Sequence, residues 1–142
     1  MSVRLPSALL VLALAACGRG GNDREEAPPA QESTASVFAV SLSDNVASPT
    51  ADEVQRVVEK RYLAAIRRCH QQALRAHTDL PLRVRLFCRI EENGTGRVLT
   101  MDGDDSTFDQ CVKGLVERWQ FEAPRDTSGN PTTAHAEVVL SL

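Results

Sequence analysis

Aromatic side chains are scarce in this chain of 142 residues, at 4%, so whatever core it builds must be modest. Positive charge is not in excess either. A net charge of −3 at pH 7 argues against a nucleic-acid binder. Beyond the extreme N-terminus there is no run of eighteen apolar residues, which excludes an internal membrane span. The chemical motifs are equally thin. Gly94-Thr95-Gly96 has no lysine and no following helix pattern, so it is not a phosphate loop. The acidic turn Asp102-Gly103-Asp104-Asp105 lacks the later glutamate of a calcium-binding loop. Ser106 has no His and Asp at suggestive positions. Cys69 and His70 are neighbours on a helix pattern and point about 100° apart, so they are no catalytic pair.

What is present begins with Val54 to His77, an uninterrupted stretch without Gly or Pro. Val54, Val58, Tyr62, Ala65, Ile66, Cys69 and Ala73 recur at helical spacing and predict one buried stripe. Asp52 and Glu53 supply the negative charge that a helix N-terminus favours. Pro81 ends the element. Leu82, Val84, Leu86, Cys88 and Ile90 then alternate with Arg83, Arg85, Phe87 and Arg89, the period of a strand with one face inward. Glu91 to Gly96 reads as a hairpin turn, and Arg97 to Met101 as the returning strand. A second helix starts with Ser106 as N-cap and Asp109 reaching back, and carries Phe108, Cys111, Val112, Leu115, Val116 and Trp119 on its inner stripe. Pro124 closes that element. Ala134, Ala136, Val138, Leu140 and Leu142 alternate inward in a last strand, with Val139 outward.

The order helix-strand-strand-helix-strand defines an α+β domain over residues 51–142. A right-handed crossover makes the third strand parallel to the second and leaves the first between them, in a three-stranded antiparallel/mixed sheet with both helices on one face. The strand Ala134–Leu142 is then expected at an edge.

Residues 1–16 have one positive charge at Arg4 and an apolar centre from Ala8 to Leu14, which is the pattern of a secretory signal. Leu14-Ala15-Ala16-Cys17 resembles the bacterial lipobox, and the resemblance implies a lipid on Cys17 (diacylglycerol with palmitate-type acyl chains) and cleavage before it. Several acyl chains hold a protein on a membrane far better than one, at about 0.8 kcal/mol per buried methylene. Gly18, where enterobacterial sorting places Asp for inner-membrane retention, points to the periplasmic face of the outer membrane. Residues 17–50 are rich in Gly, Pro, Ser and acidic side chains and read as a flexible tether; Val37 to Leu42 in it is either a short strand added to the domain or an apolar interlude, and the interlude is the expectation.

With Cys17 lipidated, Cys69, Cys88 and Cys111 remain in an oxidising compartment, and three pairings are open. Pairing Cys69 with Cys111 closes the longest loop, 42 residues, worth about 4 kcal/mol in the chain-entropy model. Cys88 is then a small buried hydrophobe. Ile66-Arg67-Arg68-Cys69-His70, Gly96-Arg97-Val98, Cys111-Val112 and Trp119-Gln120-Phe121-Glu122-Ala123-Pro124 together resemble the AgmX/PglI C-terminal domain, a TonB-C-like module of myxobacterial envelope proteins. The likeness runs from about Ala51 to Leu142. His70 departs from the Tyr usual there, Glu122 from Pro and Cys88 from Phe. It implies a TonB-like fold, the two matching cysteines side by side, no enzyme, and links to gliding motility or envelope assembly.

His70 and His77 read as solvated helix residues, since no third ligand falls in register for a metal. Trp119 and Phe121 read as core. No catalytic residue, metal or cofactor is assigned. The segment Arg56–Arg89 is predominantly basic and Glu91–Glu137 predominantly acidic, which suggests complementarity within the domain or a basic face (Arg83, Arg85, Arg89 with Phe87) for anionic lipid or an acidic protein. The expected function is therefore a periplasmic lipoprotein that adds an extended peptide or envelope protein to the edge formed by Ala134, Ala136, Val138, Val139 and Leu140. The other class weighed is a small metal- or redox-dependent envelope enzyme using His70, His77, Cys88 or the acidic turn.

Overall fold

The computed structural model describes residues 33–77, 80 and 83–142. The signal (1–16), the lipid-attachment residue Cys17, the tether up to residue 32 and the helix-ending Pro81 lie outside the described residues.

Thr50 opens the first helix. Its hydroxyl accepts from the Glu53 N–H at 3.3 Å while the Glu53 carboxylate accepts from the Thr50 N–H at 2.7 Å, a reciprocal capping box. The helix runs as α1 (Ala51–Val57), a π-helical turn (Val58–Tyr62) and α2 (Leu63–Ala76). The expected stripe survives this wider turn, with Val54, Val58, Ile66, Cys69 and Ala73 all buried. The helix α3 (Ser106–Val116) starts one residue away from the expected cap. Asp105 is the N-cap and its Oδ1 accepts from Phe108 N–H at 2.8 Å. Ser106 is therefore already helical, and Asp104, just before the cap, has φ +54°. Trp119 lies beyond the end of α3, yet it is buried.

Four strands form one antiparallel sheet: β1 (Ser36–Leu42), β2 (Arg83–Ile90), β3 (Gly96–Met101) and β4 (Ala134–Ser141). Their order is β1-β4-β2-β3. As expected, β2 lies between β3 and β4, and the inward side chains of β2 and β4 alternate as read: Val84, Leu86, Cys88 and Ile90 with Ala134, Ala136, Val138 and Leu140. The buried stripes of α1, α2 and α3 join the same core. Cys69 and Cys111 are disulfide-bonded, with Cα atoms 5.6 Å apart, so α2 is bound covalently to α3.

Two expectations need correction. The sheet has four strands, not three, because Val37 to Leu42 is not an interlude in a tether. It lies in β1, which pairs with β4 from Ser36↔Ser141 to Leu42↔Ala136. Consequently Ala134, Ala136, Val138, Val139 and Leu140 form no free edge. Ala136, Val138, Val139 and Leu140 pair with β1 on one side, and all five pair with β2, from Arg83↔Ser141 to Ile90↔Ala134, on the other. An unpaired row of backbone groups on so apolar a strand would be a template for aggregation, and β1 covers it.

Candidate functional site: the open face of the sheet

One face of the sheet packs on the helices; the other carries the outward side chains of all four strands. The strand registers fix their rows. Ser36, Ser141 and Arg83 form one; Ala39, Val139 and Arg85 the next; Ser41, Glu137, Phe87 and Thr100 the third; His135, Arg89 and Arg97 the last. A shallow dent of about 250 Å³ is lined by Ser41, Glu137, His135, Phe87 and Leu99, which come from four different strands.

Each outer strand carries a β-bulge. In β1 the register shifts between Val37 and Ala39, and in β3 between the partners of Phe87 and Cys88, leaving Phe38 and Leu99 as the extra residues. A bulge bends its strand and re-aims a side chain. These two are the large hydrophobic side chains the described chain leaves exposed, Phe38 at 55% and Leu99 at 46%. Phe38 lies over the open face, because the Arg83 guanidinium stacks 3.9 Å from its ring centroid.

The electrostatics of this face are basic. Arg85 reaches Glu137 at 3.9 Å, and Arg89 and Arg97 share Glu91 at 2.8 and 3.5 Å. Arg83 pairs with no carboxylate among the described residues. Four guanidinium groups thus face two carboxylates, part complementarity and part surplus. The basic face expected around Arg83, Arg85, Arg89 and Phe87 is present in this geometry, and Arg97 joins it. Sequence patterning missed Phe38 and Leu99, since a bulge breaks the two-residue period by which outward positions are recognised.

Elsewhere the candidate residues have structural work. His70 is not solvated. It is 5% exposed, hydrogen-bonded through Nδ1 to Ser33 Oγ at 2.7 Å and set edge-on to Phe108, and burial pushes its pKa below the usual 6.5. His77 is exposed, 3.9 Å from Asp105. Burial pushes the Cys88 thiol up to about 12, opposite to what a reactive thiolate needs. In the acidic turn Asp102 accepts from Arg85 N–H at 2.6 Å and Asp105 caps α3. Among the described residues no group of three His, Cys, Asp or Glu is placed to hold a metal. Trp119 and Phe121 are core, with Tyr62 stacked on Trp119 at 5.1 Å. A second concavity of about 310 Å³ beside the π-helical turn holds Arg56, Lys60 and Arg61, but Glu53 and Glu122 share it.

Fold and surface together define a disulfide-braced α+β domain whose sheet the described residues cover on one face and leave open on the other. No protein-family model, curated protein or solved structure matches this chain.

Proposed function

We propose that this chain is a non-catalytic docking lipoprotein of the cell envelope, anchored to the periplasmic face of the outer membrane by lipid on Cys17. It engages an envelope protein of acidic surface character through the open sheet face. One observation carries the reading: two bulges present Phe38 and Leu99 at opposite rims of a basic face that the described residues leave open. With Ala39, Val139 and Phe87 between them, these two side chains make an apolar run across a face rimmed by arginines, and a contiguous apolar patch with a polar rim marks an interaction site.

Strand addition, the mode suggested by the TonB-C-like resemblance, is disfavoured. The strand that was to accept the peptide is interior, and both remaining edges are bulged, a standard means of blunting edges. The start of β3 is further closed by the Gly96 N–H bond to Trp119 carbonyl at 3.1 Å. The element order and the paired cysteines of the resemblance, with its association with envelope assembly, support a binding module over an enzyme.

The test is a photo-crosslinking residue at Leu99 in intact envelopes, with exposed Glu117 as the control position. A discrete protein adduct at Leu99, absent at Glu117 and lost on Arg85→Glu with Arg89→Glu, is the expected result. Equal adducts at both positions, or none at Leu99, would refute the assignment. Replacing Cys17 by Ser should release the chain from the membrane fraction and abolish labelling by palmitate; retention with label intact would remove the anchor from the proposal.

A further inference from the structure

We infer that the element seated on the open face is an amphipathic α-helix of the partner, its apolar stripe between Phe38 and Leu99 and its carboxylates toward Arg83, Arg85, Arg89 and Arg97. This rests on the reading of that face as the docking surface and names what docks there.

Width is the first argument. The outer strands β1 and β3 are separated by three inter-strand steps, roughly 14 Å at about 4.8 Å each. A helix with its side chains is about 10–12 Å across. The trough between the two rims therefore admits one helix lying along the strands, over a floor of Ala39, Val139 and Phe87. The helices packed on the other face show that this sheet already accepts that kind of layer.

Charge is the second. Among the described residues four arginines against Glu91 and Glu137 leave a surplus of positive charge, with Arg83 held there by a ring and not by a carboxylate. Glutamates flanking an apolar stripe would complement it. A second copy of this chain would set arginine against arginine. The chain's own residues 18–32 contain no Val, Leu, Ile, Met or aromatic residue to cover Phe38 and Leu99. A flat bilayer would touch the rims while leaving the dent and its Glu137 uncovered.

The experiment uses the full-length chain in phosphatidylcholine nanodiscs and three fluorescent peptides of about 18 residues, roughly the length of an eight-residue strand. The first has a leucine stripe flanked by glutamates, the second the same stripe flanked by lysines, and the third is the first with two central prolines. Fluorescence anisotropy should show the first binding at least ten-fold more tightly than the other two. Phe38→Ser and Leu99→Ser should each weaken it roughly ten-fold, the loss expected for half of a large apolar side chain. Arg85→Glu, a change at an exposed site, should weaken it similarly, and the effect should shrink as salt is raised. Equal binding of the proline peptide overturns the helix while leaving the face in use, provided Leu99→Ser still weakens it. Equal binding of the lysine peptide overturns the acidic partner. Binding of phosphatidylglycerol vesicles in place of any peptide, abolished by Leu99→Ser, makes the occupant a membrane and overturns the inference. If peptides and vesicles all fail to bind, the helix is overturned, and the docking reading falls with it only when Leu99 also yields no crosslink.

Discussion

His70 is the side chain whose environment most changes its chemistry. Buried against Phe108 and bonded to Ser33, it resists taking a proton in the folded state. The unfolded chain protonates it near 6.5, so below that pH the unfolded state binds more protons and stability falls. Above it both states are neutral and nothing is lost. The urea midpoint should therefore drop as pH is lowered from 7.5 to 5.5, and His70→Asn should flatten the drop; an unchanged slope would show that another group controls it. Gly94 is a second decisive position. Its φ is +86°, and a Cβ there would meet the Phe121 carbonyl, whereas Gly129, at φ +80°, has open space around its Cβ position. Gly94→Ala should cost about 2–3 kcal/mol and Gly129→Ala about 1 kcal/mol by denaturant titration, because only the first adds a backbone clash to the strain of positive φ. The hairpin turn that needs Gly94 was legible in Asn93-Gly94. The burial of His70 was not, since its partner Ser33 is 37 positions away.

At the level of elements, β1 decides what the molecule exposes. It covers β4, whose inward residues are all aliphatic. A chain starting at Ser43 should unfold at lower urea and self-associate with concentration in sedimentation, as the bared β4 edge finds other copies. A monomer of unchanged stability would mean that β1 is dispensable. The two helices, β2 and β4 were legible because their inner residues recur at helical or two-residue spacing, and β3 because the Asn93-Gly94 turn sends the chain back beside β2. β1 was not: its inward residues Val37, Val40 and Leu42 are spaced three and then two, with Phe38 as the extra residue. The same irregularity hid Leu99 in β3. The two features that define the candidate surface are thus departures from the rule by which strands are recognised.

Over the whole molecule, one disulfide ties the two helical elements that roof the sheet. Its 42-residue loop predicts that Cys69→Ala with Cys111→Ala lowers stability by about 4 kcal/mol, a large share of the total for a domain of this size. A loss below about 1 kcal/mol would mean that helix packing alone holds the roof. Peptide mapping without reduction should return Cys69 joined to Cys111 and Cys88 as a free thiol.

From residue order alone came the α+β class, the inward and outward faces of β2 and β4, and the burial of Cys69 and Cys88, with Cys111 partly buried beside them, since each follows from local periodicity and elementary burial. Which strand stands at an edge, which histidine is dry and which hydrophobic residues meet solvent were settled by tertiary pairing. Those properties depend on partners tens of residues apart: β1 meeting β4 across the whole domain, Ser33 meeting His70, and two bulges turning Phe38 and Leu99 outward. A pattern read within a window of a dozen residues contains no information about such distant neighbours.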